Sequence, residues 1–285
     1  MQTVPLGSTG LTVSRLGFGG APAGLTNYLG PYDPRRPADR APVVAAIRRA
    51  LELGITYFDT APGYGDGASE AIFGEALADA GPDVVVATKL GPWADAPARA
   101  SVEASLTRLR RPVLDVLQLH GTAYTAPQID LILRPGGLLD QMERLRDEGL
   151  VRHLGFTVES PNAACHQLLA TGRFAVVQTI YNLLFQHAYD PGWKCGLMYD
   201  AEAAGMGIVT MRSTTSGIFQ RWVRRANPHD RFDYTPALLQ FVLANPLVDV
   251  ALVGMRTPAE VESNVRTHDD AAGRMDLAEL FRRYV

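Results

Sequence analysis

Four polar residues of complementary chemistry follow apolar stretches of the chain. Asp59, Lys89 and His120 each end such a stretch, and Tyr64 lies five residues beyond Asp59. A free tyrosine, with a pKa of about 10, is a weak proton donor to a carbonyl, but a nearby ammonium favours its phenolate. We therefore expect Lys89 to strengthen Tyr64 as an acid, and Asp59 to hold Lys89 in place and charged. With His120 orienting a carbonyl oxygen, the set predicts C=O reduction by hydride delivery with Tyr64 as general acid/base.

Each of these residues also has a plain structural interpretation. Lys89 and Asp59 could form an ion pair that only stabilises the fold, since an unpaired buried cation is costly to desolvate. His120 could be a hydrogen-bonded core histidine, and Asp59 and Tyr64 could simply belong to a turn at residues 62–65. A single catalytic set explains all four positions and their order together, so the residues favour catalysis.

Lysine is rare in this chain. Among its 27 basic residues, only Lys89 and Lys194 are lysines, and the preference for arginine is typical of coding bias. A retained lysine points to chemistry that the more basic, planar guanidinium cannot supply. Lys89 fits this interpretation, whereas no role follows for Lys194.

Composition excludes several classes of protein. A formal net charge of -3 and a pI of about 6.1 argue against a nucleic-acid partner. No apolar run reaches the roughly 18 residues of a membrane helix, and the first residues lack a signal-peptide core, so no membrane association is expected. Cys165 and Cys195 suggest neither a disulfide framework nor a metal site, which makes a reducing cytoplasm the expected compartment.

Strand-like and helix-like segments alternate along the chain. The strands are predicted at residues 16–20, 56–59, 84–89, 114–120, 153–156, 175–179, 208–211 and 248–253. The helices are predicted at residues 41–53, 69–80, 98–110, 138–148, 161–170, 198–204, 236–244 and 258–267, with Ser-Pro at 160–161 and Thr-Pro at 257–258 among the start signals.

Eight such units suit a (β/α)8 TIM barrel, which takes about 250 residues. We expect one barrel domain over residues 1–285, with an N-terminal β-hairpin around the Gly-containing turn at 7–10 lying across the barrel bottom. The competing doubly wound fold needs a glycine fingerprint between its first strand and helix. Here the first strand leads into a long irregular segment that extends to Asp39, so this alternative is weak.

The chain also resembles the aldo-keto reductase family over almost its whole length. The motifs that carry the resemblance are LGSTGLTVS at 6–14, FDTAPGYG at 58–65, ATK at 87–89, LDVLQLH at 114–120 and GMRT at 254–257. The family's tetrad of Asp, Tyr, Lys and His matches Asp59, Tyr64, Lys89 and His120. The resemblance implies a nicotinamide-dependent oxidoreductase on a TIM barrel that binds its cofactor without a Rossmann domain.

The resemblance implies cofactor residues as well. Where the family often has Ser-Asn after the fifth strand, this chain has Thr157-Val158, and only Thr157 and Gln178 carry over as ligands of the nicotinamide carboxamide. Met211 replaces a stacking aromatic, and Arg256 is placed to bind a 2′-phosphate, which favours NADP(H) with NAD(H) as the alternative. The full set of expected cofactor residues is Gly20, Ala21, Thr157, Gln178, Met211, Arg212, Ser213, Thr214, Gly254, Met255, Arg256, Thr257, Glu260 and Asn264.

The substrate is expected to be a small-molecule carbonyl or alcohol. Specificity should rest on loops at 21–39, 121–136 and 212–233, and loop aromatics are candidates for an apolar pocket, namely Tyr28, Tyr32, Trp93, Tyr124, Trp193 and Trp222. Three alternatives stay open. They are a dehydrogenase of a sugar or hydroxylated metabolite, a Schiff-base aldolase using Lys89, and a nicotinamide-binding regulatory subunit with little turnover. The sequence leaves the physiological direction and the oligomeric state open.

Overall fold

A computed structural model describes residues 1–91 and 97–274 of the chain. It begins with an antiparallel hairpin of β1 (Thr3–Pro5) and β2 (Thr12–Ser14). Eight parallel strands then close into a barrel, each beside the next in sequence and the last beside the first. The barrel strands are β3 (Leu16–Gly19), β4 (Tyr57–Asp59), β5 (Val85–Leu90), β6 (Leu114–Leu119), β7 (Val151–Val158), β8 (Val176–Ile180), β9 (Gly207–Met211) and β10 (Val250–Val253). The predicted (β/α)8 TIM barrel is confirmed.

Helices connect the strands and surround the barrel, since parallel neighbours require crossover connections. They are α1 (Ala21–Gly24), α2 (Pro37–Glu52), α3 (Ala68–Ala76), α4 (Ala98–Leu109), α5 (Ala126–Leu133), α6 (Leu138–Asp147), α7 (Ala163–Ala170), α8 (Leu197–Ala203), α9 (Ile218–Ala226), α10 (Thr235–Leu243) and α11 (Pro258–Asp269).

The pleat of the strands determines which side chains enter the barrel. Successive residues of a strand face opposite sides, so positions two apart share a face. Tyr57 and Ala87 belong to an apolar cluster that fills the barrel interior, together with Val85, Val116, Val176, Val209, Val250 and Leu252. Two residues further on, the same faces carry Asp59 and Lys89. Both charged side chains are therefore directed inward, at the carboxyl ends of their strands.

The N-terminal hairpin closes the barrel bottom, as predicted. Leu6 and Val13 are fully buried in the same cluster as the interior residues Tyr57 and Val250. Gly7 adopts a positive φ of 49°, and a Cβ there would lie 2.2 Å from the backbone nitrogen of Gly207. Only glycine fits this close approach, which seats the hairpin against the start of β9.

The structure corrects several predicted segments. All three expected specificity loops contain helical residues: α1 and the start of α2 lie within 21–39, α5 within 121–136 and α9 within 212–233. Helices α1, α5 and α9 are short, and α9 buries none of its side chains, so none of the three has the long apolar stripe by which helices are recognised. The helix predicted from Pro161 begins at Ala163, because the Asn162 side chain caps it by accepting a hydrogen bond from the Cys165 amide. The predicted start of the last helix at Pro258 is correct, with Thr257 as its N-cap.

Within residues 1–91 and 97–274, no helix is long and apolar enough to cross a membrane. The same described ranges contain no group of three or more His, Cys, Asp or Glu side chains arranged to hold a metal ion.

Candidate active site

A buried ion pair lies at the centre of the site. The Lys89 ammonium donates to both carboxylate oxygens of Asp59 and to the carbonyl oxygen of Thr60, all at 2.7 Å. Lys89 is only 1% exposed and Asp59 3%. Desolvation opposes the charge on Lys89, but attraction to Asp59 and Tyr64 outweighs it and raises the pKa of the lysine. Asp59 thus holds Lys89 in place and charged, as the sequence predicted.

Tyr64 lies beside this pair on the turn that follows β4. The Lys89 ammonium is 5.0 Å from the centroid of the Tyr64 ring. Burial raises the pKa of Tyr64 above its usual value, while Lys89 opposes that rise. The predicted direction of the lysine's effect is right, but the net shift is upward because the phenolate loses its hydration. Tyr64 therefore stays protonated until a reaction takes its proton.

Glycines fix the backbone that carries Tyr64. Gly24, the last residue of α1, packs so closely that a Cβ there would lie 2.2 Å from the Tyr64 carbonyl oxygen. Gly65 adopts a positive φ of 68°, a conformation that L side chains rarely adopt. The tyrosine backbone is therefore held between α1 and the start of α3.

His120 lies next to Tyr64. Its ring meets the Tyr64 ring edge to face, with centroids 5.6 Å apart. Burial, aided by the charge on Lys89, lowers the pKa of His120 to about 4. The imidazole is thus neutral near pH 7 and can donate one N–H hydrogen bond to a substrate oxygen.

Gln118 is a site residue that sequence reasoning missed. It is fully buried, and its amide nitrogen lies 3.2 Å from both Asp59 Oδ1 and Gln178 Oε1. The available signal was its position on β6: Gln118 is two residues from the interior Val116, so it shares the inward face in an otherwise apolar strand.

Three of the four candidate catalytic side chains line a cleft of about 220 Å³ at the barrel mouth. Asp59, Tyr64 and His120 line it, whereas Lys89 lies behind them. Eight of the expected cofactor residues also line it: Gly20, Ala21, Gln178, Met211, Arg212, Ser213, Thr214 and Gly254. A larger groove of about 780 Å³, beside α10 and α11, contains none of the predicted site residues.

The segment after β9 has an unusual backbone at the edge of this cleft. Arg212, Thr215 and Ser216 all have positive φ angles, of 55°, 62° and 49°, and lead to Gly217 at the start of α9. The Arg212 guanidinium donates to a Glu159 carboxylate oxygen at 2.6 Å, which connects the segments that follow β7 and β9. Such strained turns cluster at binding sites, because the surrounding structure must hold them in place.

Arg256 has the features of an anion-binding residue. Its guanidinium lies 4.1 Å from the centroid of the Tyr32 ring, and its Nε donates to the Pro22 carbonyl oxygen at 3.0 Å. One terminal nitrogen, Nη2, is buried and has no hydrogen-bond partner within residues 1–91 and 97–274. An unpaired buried donor on a fixed guanidinium suits a phosphate group, so the residues present fit a 2′-phosphorylated dinucleotide.

Other expected cofactor residues have structural tasks. The Thr157 hydroxyl accepts from the Gly121 amide at 3.0 Å and donates to its carbonyl at 2.8 Å, which fixes the backbone just after His120. Its donor and one of its two acceptor positions are therefore already used, and Thr157 does not line the cleft. Thr257 and Glu260 cap the start of α11 reciprocally. Met255 and Asn264 are buried.

The aromatic residues of the predicted loops divide into three groups. Tyr28 lines the cleft, with its hydroxyl 3.1 Å from Ser216 Oγ. Tyr32 and Tyr124 are buried, and the latter donates to the Thr157 carbonyl. Trp193 and Trp222 are largely exposed and do not line the described cleft. Lys194 lies on the same exposed turn as Trp193, and Trp93 lies outside the described residues.

Comparisons with known proteins all point to one family. The family model described as "Aldo/keto reductase family" matches residues 15–238. The chain is 28% identical to L-galactose dehydrogenase of Arabidopsis thaliana, over 91% of this chain and 86% of that protein. It is 27% identical to aldo-keto reductase YhdN of Bacillus subtilis, over 92% of this chain and 87% of that protein.

Solved structures share the fold. An aldo-keto reductase from Klebsiella pneumoniae in complex with NADPH superposes with a TM-score of 0.73, at 24% identity, covering 99% of this chain and 93% of that one. The holo form of aldo-keto reductase AKR11C1 from Bacillus halodurans also gives 0.73, at 24% identity, covering 95% and 92%. At these identities the likeness extends to the barrel and its connections.

Proposed function

The chain belongs to the aldo/keto reductase family, and from this premise we propose that it is an NADP(H)-dependent oxidoreductase that interconverts an aldehyde or ketone with its alcohol, using Tyr64 as general acid/base. The observation that carries the proposal is that Tyr64 and His120 meet at one opening, with Lys89 next to the Tyr64 ring and held by Asp59. An ion pair that only stabilised the fold would not require a tyrosine and a neutral histidine at the same mouth.

The proton step follows from the charges of these groups. In reduction, Tyr64 donates its proton to the substrate oxygen, and the adjacent Lys89 ammonium stabilises the phenolate that remains. Asp59 keeps that buried ammonium charged. The neutral His120 donates a hydrogen bond to the same oxygen and so favours the charge that develops there.

The cofactor supplies or accepts the hydride when it is bound. Arg256 would bind the 2′-phosphate with its unpartnered nitrogen, and Gln178 would contact the nicotinamide carboxamide at the inner end of the cleft. Arg212, Ser213 and Thr214, which line the cleft, would face the pyrophosphate. Met211 provides an apolar, polarizable surface for the nicotinamide ring.

One observation favours the opposite direction on a hydroxylated substrate. A relative that aligns with most of this chain is named for L-galactose dehydrogenation. The edge of the cleft carries polar groups that could pair with hydroxyls, namely the Tyr28–Ser216 contact and the Glu159 carboxylate. A dehydrogenase acting on a sugar is therefore the second candidate, and it would use the same four catalytic residues.

Substitution of Tyr64 tests the proposal. We expect Tyr64→Phe to retain NADPH binding, measured by fluorescence, and to lose roughly 10²–10⁴-fold in kcat, the usual contribution of general acid–base catalysis. Reduction of an aldehyde panel with NADPH and oxidation of an aldose panel with NADP⁺ would separate the two candidate directions.

Tyr57→Phe is the matched control. It removes a buried tyrosine hydroxyl from the same region, and that hydroxyl has no hydrogen-bond partner among the described residues. Its activity should equal that of the wild type. Full activity of Tyr64→Phe would refute the assigned mechanism, and failure of the wild type to bind NADPH or NADH would refute the oxidoreductase proposal itself.

A further inference from the structure

We propose that Gln118 is a positioning residue that connects Asp59 to Gln178 and determines which end of the Gln178 amide faces the cofactor. The inference rests on the proposed function and deepens it, because it assigns a task to a residue that lies behind the cleft. Gln118 does not line the cleft itself, so it acts through Asp59 and Gln178.

Three adjacent strands determine the position of Gln118. In the barrel register it lies between Lys89 of β5 and Gly155 of β7. A Cβ on Gly155 would be 3.1 Å from the Gln118 Cγ, so the absence of a side chain at 155 leaves room for the glutamine. The long side chain thereby reaches across the barrel interior.

The charge on Asp59 fixes the orientation of the Gln118 amide. A carboxylate only accepts hydrogen bonds, so the Gln118 nitrogen must face Asp59 Oδ1, which lies 3.2 Å away. The second N–H of the same nitrogen then donates to Gln178 Oε1, also at 3.2 Å. Rotating the amide by half a turn would place an oxygen against two acceptors, and that arrangement is repulsive.

The orientation of the Gln118 amide determines that of the Gln178 amide. Because its oxygen accepts from Gln118, its nitrogen points the other way, toward the Met211 sulfur, which is 3.8 Å from it. Thioether sulfur is a weak acceptor. Gln178 therefore offers a poorly satisfied N–H donor beside Met211 at the cleft, and this donor selects the carbonyl oxygen of a carboxamide rather than its amino group.

Stability alone does not account for a glutamine at this position. The Gln118 oxygen is buried without a hydrogen-bond partner among the described residues. A buried acceptor left unpaired is unfavourable, and an apolar side chain of similar length would avoid it. A glutamine at position 118 is explained if its amide nitrogen is required to orient Gln178.

Binding measurements on Gln118→Met test the proposal. This variant keeps the length of the side chain and loses both N–H groups. We expect its Kd for NADP⁺ to rise about tenfold, as for one lost buried hydrogen bond, and its Kd for adenosine 2′,5′-bisphosphate, which lacks nicotinamide, to change less than twofold. Gln118→Leu, a second apolar variant, should show the same selectivity, and it tests the proposal if Gln118→Met does not fold.

Thr88→Val is the matched control. It removes the buried hydrogen bond that Thr88, on the adjacent strand β5, donates to Glu70. This hydrogen bond lies on the outer face of the barrel. It should leave both ligands bound as in the wild type. Equal weakening of both ligands by Gln118→Met, or no weakening of either, would overturn the inference. Absence of NADP⁺ binding by the wild type would instead refute the proposed function, so the two failures are distinguishable.

Discussion

Removing Lys89 should destabilise the protein strongly, and removing Asp59 as well should restore about half of the loss. In Lys89→Met, the Asp59 carboxylate stays almost fully buried without the ammonium that donates to both of its oxygens. Breaking a buried pair in this way costs about 3–5 kcal/mol, because a buried charge is left uncompensated.

The double variant Asp59→Asn/Lys89→Met contains no buried charge at these positions. Its remaining defect is the Thr60 carbonyl, which loses the donor that lies 2.7 Å away in the wild type. An unsatisfied buried acceptor costs about 1–3 kcal/mol, so we expect the double variant to be more stable than Lys89→Met. Neither variant should reduce carbonyls, since the ammonium beside Tyr64 is gone.

The assay is the free energy of unfolding from urea titration, measured at pH 5 and pH 8. Without Lys89, burial leaves the folded-state pKa of Asp59 above its unfolded value, so the folded state binds the extra proton. Stability then falls as the pH rises above the unfolded pKa. The deficit of Lys89→Met relative to the wild type should therefore be larger at pH 8 than at pH 5, and the double variant should lack this dependence.

An exposed ion pair provides the control. Arg35→Ala removes the partner of Asp33 at 2.8 Å on the surface, and solvent screening should leave the stability unchanged. The reasoning is refuted if Lys89→Met is as stable as the wild type, or if the double variant is no more stable than Lys89→Met. Either result would mean that the buried charges do not interact as their geometry indicates.

Two further predictions concern single residues of the site. The pKa of His120 is about 4 in the folded protein, against about 6.5 when unfolded, so the unfolded state binds more protons between these values and the stability falls as the pH drops through that window. His120→Gln should reduce this fall, as measured by urea titrations at pH 7, 5.5 and 4, and identical pH dependence in both proteins would contradict the assigned burial. Arg256→Ala should raise the Kd for NADPH about tenfold or more and leave that for NADH nearly unchanged, because only NADPH carries the phosphate that its buried nitrogen is placed to bind. Fluorescence titration measures both constants, and equal losses for the two cofactors would argue against a phosphate contact.

Much of the barrel could be predicted because its strands are short apolar runs that end in polar residues. Lys89 and Asp59 were identifiable, since a charged residue at the end of a buried strand needs a partner of opposite charge. Gln118 was harder to recognise, because a single amide within a strand acquires meaning only when the register places it beside Asp59 and Gln178.

Other features depend on contacts between segments that are distant in sequence. The Thr157 hydroxyl could have faced a cofactor, but the chain folds so that Gly121 uses both of its hydrogen-bonding functions. The net rise in the pKa of Tyr64 likewise depends on how completely the turn is buried, which the order of residues does not reveal. Spacing identifies reactive groups, whereas packing decides how they titrate.

The closed floor of the barrel has a consequence for turnover. Leu6 and Val13 seal the interior below Tyr57, and the apolar layer above them separates this end from Lys89. In the proposed mechanism, a phenolate formed at Tyr64 would therefore regain its proton through the same opening that admits the substrate. Release of the alcohol and reprotonation of Tyr64 would then share one route. The hairpin, which touches no reacting atom, would in this way restrict the path of the proton at the opposite end of the barrel.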